Sequence, residues 1–194
     1  MESQVVPCHG EAHDHRHFET ATEVLKSEHR VIERVLDSLE KLVQPSETSP
    51  LPAWEKAIDF LRNFADKCHH LKEEKLLFPA LEARGIPREG GPIGMMLAEH
   101  EEGRGYVRAM AAALESAAKD PPAARVTLRI KATAYIRLLR EHIQKEDEVL
   151  FVMADEIFSP AEQKELLRDF EEHELKEMGA GVHEKYLKIA EELV

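Results

Sequence analysis

The 194-residue sequence predicts an all-α fold, an antiparallel up-down four-helix bundle with a C-terminal helical extension. Three observations predict it. Apolar residues recur at three- and four-residue spacing over long stretches, no stretch alternates like a strand for more than a few residues, and one block returns 73 residues later. In that internal repeat His69 matches His142, Lys72 matches Lys145 and Glu73 matches Glu146, and Leu77 and Phe78 match Leu150 and Phe151. A chain of this length buries roughly 70 % of its unfolded surface as one domain, enough core to hold a site.

Taken in order, residues 1–18 form a polar arm with His9, His13, His15 and His17 around Cys8. It reads as solvated, with a metal-scavenging tail as the alternative. Thr20 and Glu23 have capping-box spacing, and Leu25, His29, Ile32, Leu36, Leu39 and Val43 follow at helical period, which places the first helix at about 20–44. PSETSPLP at 45–52 is a loop whose Pro52 suits a helix start. In the second helix Ile58, Leu61, Ala65, His69, Glu73 and Leu76 face inward, Pro79 predicts a kink or an early end, and Gly85 a stop. The third helix runs from near Pro92 to about Lys119, with Ile93, Met96, His100, Arg104, Val107, Ala111 and Leu114 on one face. Asp120 and two prolines open the fourth, which reaches about Phe158 and turns Leu128, Ala132, Tyr135, Leu139, His142, Glu146, Val149 and Met153 inward. The bundle thus covers residues 19–158. The extension, 159–194, holds a fifth helix opened by Ser159 and Glu162, then a glycine break at 179–181 and a short last helix from Val182.

Each repeat carries a histidine followed four residues later by a glutamate, which a helix places on one face a turn apart. His29 and His100 stand 40 and 42 residues ahead of His69 and His142, so each half is a helix hairpin and the two hairpins are related by approximate two-fold symmetry. Glu73 and Glu146, desolvated together in an apolar core, would each cost several kcal/mol unless cations compensate them. Neutral imidazoles do not, and helical geometry puts Lys72 and Lys145 on the outward face. A pair of metal ions would, with His29, His69, His100 and His142 as terminal ligands and Glu73 and Glu146 as bridges. A nitrogen and oxygen set without thiolate favours iron or manganese over zinc.

Further residues near this layer are Glu101, His70, Glu74, Tyr135, His173 and His183. His70 and Glu74 are offset by about 100° from the ligand face and are placed in solvent. Tyr135 is placed in the core. His173 shares a stripe with Leu166 and Phe170 and points at the bundle, and His183 is a weaker candidate of the same kind. Glu33 and Arg104, one turn beyond the two lone histidines, are expected to pair across the bundle and orient His29 and His100.

The balance of 26 basic against 38 acidic residues, a formal charge of −12, argues against nucleic acid and anionic membranes as partners. No stretch approaches the roughly 18 consecutive apolar residues of a membrane span. With two cysteines, Cys8 in the arm and Cys68 read as a small buried filler, the expected setting is the reducing cytoplasm.

His29, the block HHLKEEKLLFP from His69, the block GPIGMMLAEHEEGR around His100, and HIQKEDEVLF from His142 together resemble the hemerythrin-like, HHE cation-binding proteins over about residues 20–158. The resemblance implies a non-haem di-iron centre, oxo- or hydroxo-bridged, with Glu73 and Glu146 as bridging ligands and the four histidines as terminal ones. Oxygen carriers of this family take two histidines a turn apart from the third helix. Here Met96 and Arg104 flank His100, so the pattern is similar to the bacterial four-histidine, two-glutamate variant. Open positions on both irons imply binding or reduction of oxygen, peroxide or nitric oxide, as a peroxidase-like detoxifier or a sensor. The alternatives are a non-catalytic module for iron handling or signalling, with the extension meeting a protein partner or a second copy, and a bundle holding zinc or no metal.

Overall fold

Thr20 opens the first helix as expected: its hydroxyl accepts from the Glu23 amide while the Glu23 carboxylate accepts from the Thr20 amide, and α1 runs from there over Ala21–Val43. The structure, a computed structural model, describes residues 18–44 and 50–193. The histidine-rich arm with Cys8 and most of the predicted 45–52 loop lie outside the described residues.

Among the described residues there are six helical runs and no strand. After α1, α2 covers 51–83: α-helical over Leu51–Phe60, π-helical over Leu61–His70 and Glu73–Leu77, then α-helical over Phe78–Ala83. Pro79 does not end it. It lies where the wider π ladder returns to α pairing, and the run stops at Gly85, whose φ of 92° a side chain would resist. α3 is Pro92–Ser116. α4 covers 121–157, capped by the Asp120 carboxylate and passing through a π-helical turn at Glu146–Leu150. α5 is Pro160–Glu177, entered through a Ser159/Glu162 capping box, and α6 is Val182–Leu193.

α4 packs along α3 and α1, while α5 and α6 lie against α1 and α2. The apolar side chains separate into two clusters. One gathers Leu36, Trp54, Phe60, Phe64, Met110, Leu128 and Tyr186, and the other Leu25, Phe78, Leu81, Ile93, Phe151 and Phe170. His29, His69, Glu73, His100 and Glu146, all buried, fall in sequence between the residues of the two clusters on their own helices, and buried His142 lies at the edge of the first, beside Ile143.

The π turns correct the predicted faces. Val149, expected inward, is 52 % exposed, and its neighbour Leu150 is buried instead. In a π turn each amide bonds one residue further back than in an α-helix, so the inward stripe advances by one position.

Candidate metal centre

All six predicted donors meet in one buried layer. His29, His69, Glu73 and Glu146 present ligand atoms within 4.8 Å of one another, and a second group under the same limit contains His70, Glu73, His100 and His142. Glu73 belongs to both. His29 Nε2 stands 3.3 Å from Glu146 Oε2 and His142 Nε2 3.1 Å from the same oxygen, while His69 Nε2 and His100 Nε2 each lie 3.5 Å from a Glu73 oxygen. Each imidazole therefore aims Nε2 at the carboxylates.

What fixes that aim is the other ring nitrogen. His29 Nδ1 is 2.7 Å from Asp147, His69 Nδ1 2.9 Å from Glu28, His100 Nδ1 2.8 Å from Glu74 and His142 Nδ1 2.9 Å from Glu99. A carboxylate there accepts a hydrogen bond from Nδ1–H and so favours the tautomer whose Nε2 lone pair faces inward, the usual way an imidazole is prepared as a ligand. Every one of these carboxylates is held in turn by a cation: Asp147 by Arg30, Glu28 by Lys72, Glu74 by Arg104 and Glu99 by Lys145. The result is four histidine, carboxylate and cation relays around two glutamates.

The layer is built for cations. His29 Nε2, His69 Nε2 and all four carboxylate oxygens of Glu73 and Glu146 are buried without a hydrogen-bond partner among the described residues. His100 Nε2 and His142 Nε2 stand 3.1 Å apart. Two nitrogens bound side by side at about 2.1 Å to one ion stand about 3 Å apart, so this spacing fits a shared ion. Burial, and after it the adjacent Glu146 carboxylate, push the Glu73 carboxyl well above its usual range. Burial also brings His69 down to about 3. His142 goes the other way: burial opposes, but Glu146 and then Glu99 raise it to about 9. The residues present thus fit hard or borderline cations bound by nitrogen and oxygen.

Several expectations are corrected. Glu33 does not pair with Arg104: it meets Arg30 one turn away at the surface, and Arg104 instead holds Asp66, Glu74 and Glu101 at 2.7 Å each. Arg104 does orient His100, but through Glu74. His70 and Glu74 are not in solvent: His70 is buried and its ring stacks on His100 at 3.9 Å, while Glu74 backs His100. Lys72 is not outward either. It is fully buried, bonded to Glu28 and to Glu174 of α5, and its twin Lys145 reaches Glu99. Tyr135 is buried in the larger apolar cluster and, with Arg104 and His70, lines a cavity of about 350 Å³. His173 joins neither donor group; His183, buried, joins Glu28, Cys68 and Glu174 in a third group beside the layer.

The relay carboxylates escaped the sequence reading, although a signal exists. Glu28 and Glu99 directly precede His29 and His100, and Glu74 and Asp147 directly follow Glu73 and Glu146, so they repeat with the ligands. Because each serves a histidine on a different helix, no spacing within one helix reveals the pairing. Arg104→Ala should weaken metal binding roughly 10- to 100-fold, the usual effect of losing a partner of a ligand, while leaving the helix content unchanged. Competition titration with a chelating dye, beside circular dichroism, checks both.

Fold and site together define an all-helical protein with a buried histidine and carboxylate layer suited to metal ions. The chain matches the hemerythrin HHE cation binding domain over residues 20–154 and belongs to that family. Its relatives include uncharacterized proteins of Mycobacterium bovis and of two strains of Mycobacterium tuberculosis, each 33 % identical over 178 residues that cover 89 % of this chain and 68 % of the relative. No solved structure matches the chain significantly. Among the described residues, no helix is long and apolar enough to cross a membrane.

Proposed function

We propose that the chain is a non-haem di-iron protein that binds or reacts with oxygen, peroxide or nitric oxide. In this reading residues 19–158 form an antiparallel four-helix bundle around the centre and 159–194 a helical extension that closes one flank. The observation that carries it is the pair of donor groups sharing Glu73. One ion would be held by His29, His69, Glu73 and Glu146, and the other by Glu73, His100 and His142. The family supports iron; the absence of cysteine from both groups agrees with it better than with structural zinc.

Bound iron supplies open positions for a small ligand and electrons to reduce it. The chain's own contribution is positional. The Nδ1 protons, tied to Asp147, Glu28, Glu74 and Glu99, keep four Nε2 lone pairs convergent. The apolar clusters on either side shield the layer from bulk water. The charge of −12 supports a partner that is neither nucleic acid nor an anionic membrane, and a cytoplasmic setting belongs to the same reading.

Anaerobic loading with ferrous iron tests it: two ions per chain and the absorption bands of a coupled ferric pair after exposure to air are expected. Sustained consumption of peroxide or nitric oxide would make it an enzyme, and one stoichiometric oxidation that then stops a sensor. Fewer than two ions under saturating iron would sink the proposal.

A further inference from the structure

Resting on that reading, we propose that His70 is a fifth imidazole ligand, completing the subsite of Glu73, His100 and His142, so that the two ions occupy unlike surroundings. His70 shares burial and placement with the four histidines already described, with its Nδ1 beside a carboxylate at longer range. It is only 4 % exposed. A ligand atom of its ring falls in the donor group with Glu73, His100 and His142. Its Nδ1 lies 3.7 Å from the Asp66 carboxylate, and Asp66 is held by the Arg104 guanidinium at 2.7 Å, the same histidine, carboxylate and cation order. Neither ring nitrogen is hydrogen-bonded within the described residues, although both are buried. An imidazole used only for packing would be expected to satisfy at least one of them.

The backbone explains why two consecutive histidines reach one centre. Regular α-helical geometry would aim neighbours about 100° apart. His69 and His70 end the π-helical stretch Leu61–His70, and their ring centroids are 5.6 Å apart, with His70 also 5.8 Å from His142. π turns inside helices are frequent where side chains must be re-aimed at a functional site.

The second repeat has no equivalent. His70 corresponds to Ile143, which is buried and belongs to the apolar cluster. The approximate two-fold symmetry is therefore broken at one residue, giving three imidazoles on one side and two, His29 and His69, on the other. Each ion then has four protein donors of unlike kind, three imidazoles with Glu73 on one side and two imidazoles with Glu73 and Glu146 on the other.

Proton NMR in water on the protein loaded anaerobically with ferrous iron counts ligand imidazoles without any substitution, because each bound ring gives one exchangeable, paramagnetically shifted Nδ1–H resonance. Five are expected in the wild type and four in His70→Gln. The variant should also lose the second ion by more than the roughly 10- to 100-fold that follows removal of a ligand's hydrogen-bonding partner. Two ions bound with four shifted resonances, or His70→Gln with all five, would overturn the role of His70 while leaving the di-iron reading intact. Failure of the wild type to take up two ions would remove both.

Discussion

Glu73→Gln is expected to abolish binding of the ion pair and, with it, the stabilisation that metal gives the fold. Glu73 is the donor common to both groups, so one amide in its place removes an anionic ligand from each subsite. At metal concentrations a thousandfold above the dissociation constant, each bound ion adds about 4 kcal/mol to the wild type, and the variant should show none of it. Without metal the sign reverses. The wild type then holds Glu73 beside Glu146 with its carboxyl pushed well above the usual range, so folding at neutral pH must take up a proton there, a cost that glutamine does not carry. Urea unfolding with and without ferrous iron reads both effects. A metal-free Glu73→Gln clearly less stable than the metal-free wild type would contradict this account of the layer.

Lys72→Met should be among the most destabilising substitutions on the chain. Burial alone would raise the Glu28 carboxyl, but the Lys72 ammonium, followed by His69, holds it well below the usual range, so Glu28 is an anion inside the protein. Removing the cation leaves that charge and the nearby Glu174 carboxylate without their common partner. Breaking a buried pair from one side costs about 3–5 kcal/mol, which for a chain of this size lowers the melting temperature by roughly 2–4 °C per kcal/mol. Combining it with Glu28→Gln should recover part of the loss, as expected of two groups in one network. The double variant would still bind metal poorly, because Glu28 also fixes His69. Calorimetry of the two single variants and the double one closes the cycle.

Much of this was legible beforehand for a simple reason. His69, Glu73, His142 and Glu146 lie four apart within single helices and recur together, so periodicity alone puts them on one face. Glu28, Glu74, Glu99 and Asp147 could not be found that way, since each acts across to another helix. A uniform turn per residue places His70 and Lys72 outward, but α2 is π-helical around them, and Glu28 of α1 and Glu174 of α5 cover the lysine. The Glu33 and Arg104 pairing failed because nearer carboxylates, Asp66 and Glu74, compete for the guanidinium.

The extension makes the two flanks of the centre unequal in a way that bears on solvent exchange. Lys72 and Lys145 are equivalent in the repeat, but α5 and its Phe170 roof the first, leaving it 0 % exposed, while the second is 35 % exposed. A hydrogen-bonded chain therefore runs from water through Lys145 and Glu99 to the Nδ1 hydrogen of His142. The matching chain through Lys72 and Glu28 to His69 is sealed from above. The His142 ring hydrogen should accordingly exchange with solvent faster than that of His69.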